Sequence, residues 1–305
     1  MSGDPAQWTV ARLLDWTASH FAAKGLENPR LESEILLAAA LGCKRIDLYV
    51  RHDQQANDAE RGRFRDMVRR RLEGAPTAHV VGKKEFYSLD FAVSPAVLIP
   101  RPDTESLVDE AIRLAKGRPN LLIVDIGTGT GCVALALASR LPKARLVAVD
   151  ICPQALAIAS SNASRLGLES RVEFRLGNLL EPVSDLRPDL IVSNPPYIPT
   201  ADLAGLEVGV RDHEPRLALD GGPDGLRVIE SLTIQATTLL AADGRLLLEI
   251  GAGQEAPARH LLTRLGWRVE AVLKDGGGHP RVVRATLSQG HPFPGPTGLT
   301  IRPRQ

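Results

Sequence analysis

Between residues 103 and 287, short runs of branched, apolar residues alternate with longer segments of helical character. The runs are LLIVD (121–125), RLVAV (145–149), VEF (172–174), DLIVS (189–193) and RLLLEI (245–250), with helical stretches near 132–140, 153–166 and 224–241. Runs so short and so apolar suit strands buried on both faces, which a parallel sheet covered by helices provides. The alternation therefore predicts an α/β fold built on a doubly wound, mostly parallel sheet. Two further runs, WRVEAVL and RVVRATL, are joined by DGGGHP and predict an antiparallel hairpin at the sheet edge, which makes the sheet seven-stranded.

The rest of the chain reads differently. At roughly 150 residues per domain, 305 residues leave room for a second, smaller domain. Residues 1–74 predict a small helical bundle. Val10, Leu13, Leu14 and Phe21 recur at helical spacing up to Gly25, and Asn28-Pro29 forms a cap with proline at the first helical position. Leu31, Ile35 and Leu36 carry a second stripe that ends at Gly42, and an Arg-rich third segment runs over 57–73. Residues 75–102 are rich in β-formers (Val80, Val81, Phe86, Tyr87, Phe91, Val93, Leu98) broken by Gly82 and Pro95, and predict a hairpin linker. The Pro- and Gly-rich tail, 288–305, is expected to be disordered.

Charge and cysteine content narrow the class. The 37 basic and 36 acidic residues nearly cancel, whereas a protein that grips phosphates carries a clear basic excess, so stable nucleic-acid binding is not expected. Arg61, Arg63, Arg65, Arg69, Arg70 and Arg71 crowd one helical segment, either as a solvated face or as a docking face. The longest apolar run, Ile35 to Cys43, is far shorter than the ~18 residues of a membrane span. The first residues carry no basic stretch followed by an apolar one, so neither a signal peptide nor a membrane partner is expected. Three scattered cysteines fit neither a disulfide framework nor a metal site and suggest a reducing, cytoplasmic setting.

The first strand ends in Asp125-Ile126-Gly127-Thr128-Gly129-Thr130-Gly131, just where a helix opens. Glycines there let a ligand lie against the backbone and the helix amino end. The spacing is Gly-x-Gly-x-Gly, and Cys132 stands where a dinucleotide fingerprint needs its last glycine, so the loop suits a ligand without a pyrophosphate. Asp150 ends the second strand, where a carboxylate can accept from both ribose hydroxyls of a nucleoside. Gly177-Asn178-Leu179 follows the third strand, where Asn178 could meet an adenine edge or simply occupy a polar turn.

Asn194-Pro195-Pro196-Tyr197 follows the fourth strand. Consecutive prolines stiffen the backbone and remove two N–H donors, which leaves a rim of acceptors. A planar NH₂ group can give one hydrogen to the Asn194 carbonyl oxygen and the other to the Pro195 carbonyl, while Tyr197 walls the pocket or stacks on the substrate. Holding both hydrogens out of the amide plane would aim the nitrogen lone pair at an electrophile.

These segments, with GAPTAHVVGKKEF (74–86), LIPRPDTE (98–105), HEPRLALDGGPDGL (213–226) and KDGGGHPRVV (274–283), resemble the release factor glutamine methyltransferase (HemK-like) family over about residues 8–286. The resemblance implies a class I fold that uses S-adenosyl-L-methionine. It implies that Gly127, Thr128, Gly129, Thr130 and Gly131 hold the methionine moiety, Asp150 the ribose and Asn178 the adenine. Asn194 would face both cofactor and substrate, with Pro195, Pro196 and Tyr197 completing a glutamine pocket. The implied partner is a class I peptide chain release factor, methylated on its Gly-Gly-Gln glutamine and docked with help from the helical amino-terminal domain. A sister family that acts on a ribosomal protein carries Ser where Pro102 stands here. Adenine N6 methylation shares the NPPY motif and remains an alternative at this point, as does a non-catalytic adaptor. Leu179 and Gly278-His279-Pro280-Arg281 depart from the usual family pattern. His213-Glu214 is expected to be a structural turn, no metal is expected, and Cys132 is read as packing.

Overall fold

The computed structural model describes residues 8–288, so the expectation for the tail lies, beyond Ser288, outside the described residues. In chain order the principal elements are α1 (Val10–Ala23), α2 (Pro29–Leu41), α3 (Arg45–Val50), α4 (Asp58–Leu72), α5 (Thr77–Val81), β1 (Lys83–Phe86) and β2 (Leu89–Ala92). They continue with α6 (Glu105–Ala115), β3 (Leu122–Ile126), α7 (Cys132–Arg140), β4 (Arg145–Asp150), α8 (Pro153–Leu166), β5 (Val172–Leu176), β6 (Leu190–Ser193) and α9 (Val208–Arg211). The last are α10 (Arg227–Leu239), β7 (Arg245–Glu249), α11 (Glu255–Arg264), β8 (Trp267–Lys274) and β9 (Pro280–Leu287). The described residues divide into two compact units: 8–84 with Ala92–Ile99 and Ala204–Pro215, and Glu85–Phe91 with Pro100–Leu203 and 216–288.

The first unit is helical. The Thr9 hydroxyl accepts the Arg12 N–H and starts α1, Gly42 ends α2 at φ +64°, and Asn57 and Glu60 form a reciprocal capping box on α4. Leu13, Leu14 and Phe21 pack with Leu36, Leu37 and Phe64 in one core, each such burial stabilising by about 1.5–3 kcal/mol. Two elements depart from the sequence reading. Arg45–Val50 is helical although six residues are too few to display a periodicity. Val80 and Val81, read as β-formers, lie in α5; Gly82 stops it at φ +80°, and Val80 enters the helical core, where packing overrides β-propensity.

The Arg-rich face of α4 is largely committed within this unit. Arg61 pairs with Asp58, Arg69 with Asp66, and Arg71 with Glu32 at 2.7 Å. Arg63 donates to the Ala40 carbonyl, and Arg70 to those of His79 and Val80. Arg63, Arg70 and Arg71 thus tie α4 to α2 and α5, a role that neither sequence reading of the run anticipated.

The hairpin is shorter than anticipated and consists of β1 and β2. Its turn residues, Tyr87 and Ser88, both take positive φ (+52° and +62°), positions that usually go to Asn-Gly. Tyr87 is held there by its N–H, which donates to Glu105, and by its hydroxyl, which donates to Asp109. Phe86 and Phe91 meet edge to face in the core beneath.

The second unit is a seven-stranded sheet in the order β5-β4-β3-β6-β7-β9-β8. All neighbours are parallel except the pairs that β9 makes with β7 and β8. Helices cover both faces, and alternate strand residues feed two separate cores; Ile123 belongs to one and Val124 to the other. The winding reverses between β3 and β6, so the loops after these neighbouring strands flank the switch point, where open α/β sheets bind ligands. Among the described residues no helix is long and apolar enough to cross a membrane, and no group of three or more His, Cys, Asp or Glu side chains is placed to hold a metal ion.

Candidate active site

The loop after β3 is anchored from below and open above. The N–H groups of Gly127 and Thr128 both donate to the Val149 carbonyl, at 2.9 and 3.0 Å. Asp125 is buried and accepts from the Thr128 hydroxyl at 2.6 Å and the Ala134 N–H at 3.2 Å; burial pushes its carboxyl up to about 7. Thr128 and Thr130 are buried, and the Thr130 carbonyl accepts from Asn162, so both threonines pin the loop. Gly127 and Gly129 take positive φ, and a β-carbon at Gly127 would meet nothing within 4 Å. Gly131 differs. It caps α7 at φ +80°, and a β-carbon there would come 3.1 Å from the Ala159 methyl, so this glycine allows α8 to approach.

Asp150 ends β4 against the same loop. Its Oδ2 accepts the Gly129 N–H at 2.8 Å and its Oδ1 the Cys152 N–H at 2.9 Å. Burial raises its carboxyl despite these bonds. A carboxylate offers about four lone-pair positions, so acceptor capacity remains for a diol. Open backbone at Gly127 beside spare acceptors at Asp150 fits a ligand with an amino-acid end and a nucleoside end. Asn178 is exposed after β5 and donates to Glu181 at 3.2 Å, while Leu179 packs on the core. Burial pushes the Cys132 thiol up to about 12, consistent with packing rather than reactivity.

The NPPY corner follows β6, whose last side chain, Ser193, donates to the Ile126 carbonyl at 2.8 Å and ties the two loops together. The Asn194 amide donates from Nδ2 to the Thr104 hydroxyl at 3.0 Å, so Oδ1 is the end left to face away from that contact. The backbone beyond is closed off step by step. Gln254 donates to the Tyr197 carbonyl at 2.9 Å. Gly221 lies so close to the Pro196 carbonyl that a β-carbon would come within 2.8 Å of it. The Ile198 carbonyl accepts the Gly221 N–H, and its own N–H donates to Leu219. Among the described residues no hydrogen bond reaches the Pro195 carbonyl. The DGGPDGL run thus serves as the bed on which the corner lies. Within the first unit, Glu214 is buried and accepts the Ile99 N–H at 3.0 Å, as a structural turn requires.

Sequence reading assigned no role to Thr104, Glu249 or Gln254. Glu249 ends β7, is buried, and takes one hydrogen bond, at 3.4 Å, from the Tyr197 hydroxyl, while its Oε2 is buried without a hydrogen-bond partner. Burial pushes its carboxyl up to about 7, against the pull of Arg281; burial and Glu249 together push Tyr197 up to about 12. Arg281 of β9 pairs with Asp103 and Asp275, each at 3.0 Å, and donates to the Ile250 carbonyl at 3.2 Å. It thereby fixes the 102–104 turn that presents Thr104. One signal was available: a lone carboxylate closing the otherwise apolar run RLLLEI.

A seven-stranded, doubly wound sheet with one reversed strand, a glycine loop after its first strand and an acidic residue ending its second has the arrangement of a class I methyltransferase. Residues 12–82 match the family model described as PrmC N-terminal domain, and residues 110–205 match the methyltransferase small domain. The chain is 47% identical to the release factor glutamine methyltransferase of Geobacter sulfurreducens, over 93% of this chain and 98% of that protein. It is 45% identical to the proteins of the same name from Rhodopirellula baltica, over 90% and 95% of the two chains, and Moorella thermoacetica, over 90% and 96%. The chain belongs to the release factor glutamine methyltransferase family.

Proposed function

We propose that this protein transfers a methyl group from S-adenosylmethionine to the N5 nitrogen of the glutamine in the Gly-Gly-Gln loop of class I peptide chain release factors, in the cytoplasm. The observation that carries this reading is the corner at 194–197, where Asn194 Oδ1 and the Pro195 carbonyl remain as acceptors while the carbonyls of Tyr197 and Ile198 are engaged within the fold. In this reading the helical amino-terminal part, residues 1–74, helps to dock the release factor, the hairpin segment 75–102 links it to the methyltransferase domain at 103–287, and no nucleic acid is bound stably.

The bound donor supplies a methyl group on a positively charged sulfonium, which leaves as a neutral thioether. Gly127 and Gly129 give the amino-acid end of the donor access to backbone, Asp150 accepts from its ribose, and Asn178 meets its base. Asn194 Oδ1 and the Pro195 carbonyl each accept one amide hydrogen, which turns the nitrogen lone pair toward the methyl in line with the breaking bond. Tyr197 and Pro196 wall the carboxamide from water. The nitrogen gains the methyl and loses one proton.

The test is transfer of labelled methyl to purified release factor. Label is expected in the release factor and absent from the variant whose Gly-Gly-Gln glutamine is alanine; label in a DNA duplex, or none in the release factor, refutes the reading. Asn194→Ala should abolish transfer while only partly weakening donor binding.

A further inference from the structure

Asn194 leans on a piece of chain that the sheet does not hold. Its Nδ2 donates to the Thr104 hydroxyl at 3.0 Å, and Thr104 closes a short 3₁₀ turn, Pro102–Thr104, outside the strands. The neighbouring residue in that turn, Asp103, pairs with Arg281 Nη2 at 3.0 Å. Arg281 is itself firmly placed. Its Nε donates to Asp275 Oδ2 at 3.0 Å and its Nη1 to the Ile250 carbonyl at 3.2 Å. The Ile250 N–H returns a bond to the Arg281 carbonyl at 2.9 Å. Asp275 Oδ1 in turn accepts the N–H groups of Gly277 and His279, at 2.9 and 3.0 Å. A planar guanidinium held on two sides presents its remaining N–H groups in a fixed direction, and here that direction is Asp103.

We propose that the Arg281–Asp103 pair is a positioning device that pins the 102–104 turn to the sheet and, through Thr104, holds the Asn194 amide with Oδ1 toward the substrate. The proposal rests on the reading of Asn194 as the acceptor for the glutamine amide. Without the pair the turn can draw back, Asn194 loses the Thr104 hydroxyl, and its amide rotates out of line with the substrate nitrogen.

Asp103 is the side of the pair to change. Its side chain is 47% exposed, and Arg281 keeps Asp275 when Asp103 is gone, so no buried charge is left unpaired. Asp103→Ala should lower kcat roughly tenfold while KM for the methyl donor stays within about twofold. Asp103→Asn keeps an oxygen for Arg281 and should recover most of kcat. Thr104→Val should lose at least as much as Asp103→Ala, and the double variant no more than Thr104→Val alone, because both act along one path; independent defects would multiply. A second readout does not use the reaction. The Asn194 side-chain NH₂ signals, assigned with Asn194→Ala in nitrogen-15 spectra, should exchange with solvent several times faster in Asp103→Ala than in wild type.

The device is overturned if Asp103→Ala keeps the wild-type kcat and NH₂ protection, or if its loss falls on KM for the donor. It is equally overturned if Asp103→Asn is as impaired as Asp103→Ala, or if the two losses multiply in the double variant. Should Thr104→Val fail to fold, the alanine and asparagine variants of Asp103 decide. If the wild type labels no glutamine, the substrate assignment falls, while the exchange measurement still tests the device.

Discussion

Gln254 donates from Nε2 to the Tyr197 carbonyl at 2.9 Å and accepts the Gly251 N–H on Oε1 at 2.8 Å. One amide therefore satisfies two backbone groups and braces the proline corner from behind. Gln254→Ala leaves both without their partner and should cost about 1–3 kcal/mol. Urea unfolding should show that loss, and methyl transfer should decline with it, because the corner loses its brace. An unchanged midpoint would mean that solvent replaces the amide without cost.

Two glycines should respond differently to the same added methyl. At Gly225 (φ +74°) a β-carbon would come 2.3 Å from the Tyr197 carbonyl oxygen, whereas at Gly127 (φ +72°) it meets open space. Gly127→Ala should cost only the strain of the left-handed conformation, about 1–2 kcal/mol, and should weaken donor binding. Gly225→Ala should cost more and should lower kcat by displacing the corner. Melting temperatures and donor titrations of the two proteins, side by side, check this ordering.

Asp150 is held by the N–H groups of Gly129 and Cys152, so its replacement loosens the glycine loop and, in the proposed reading, removes the ribose contact as well. Asp150→Ala should raise the Kd for S-adenosylmethionine at least tenfold, about 1.4 kcal/mol. Isothermal titration with the donor alone, without release factor, measures it.

Burial pushes Asp125 up to about 7 from 3.8. The folded protein then keeps a proton that the unfolded chain has already released, so stability falls as pH rises from about 4 to about 7. Glu249 works in the same sense, from 4.5 to about 7. Paired carboxylates such as Glu34, Glu110 and Asp275 are held below their usual values and act only at lower pH. Unfolding free energy should therefore be smaller at pH 8 than at pH 5, by on the order of 3 kcal/mol for Asp125 alone. Asp125→Asn should flatten that slope; an equal slope in both proteins would remove Asp125 as its source.

Sequence revealed what local chemistry encodes. The central strands β3, β4, β6 and β7 were legible because buried parallel strands are largely apolar, and the loops after β3 and β6 because glycine and proline restrict the backbone in visible ways. Short helices were not. Arg45–Val50 and Thr77–Val81 span too few turns to show a period, and Val80 follows its neighbours into a helical core. Long-range partners were equally hidden. Thr104 lies 90 residues from Asn194, and nothing in either segment names the other. The arginines of α4 looked alike in sequence, yet most are spent on carbonyls and carboxylates of the same unit.

The paired prolines carry a consequence for chemical damage. Across residues 195 and 196 the peptide backbone has no hydrogen to offer. A deamidated side chain, an anion in place of a carboxamide, would find oxygen facing oxygen there with no donor to soothe it. On the proposed function, a release factor whose loop glutamine had hydrolysed to glutamate would be turned away at this corner.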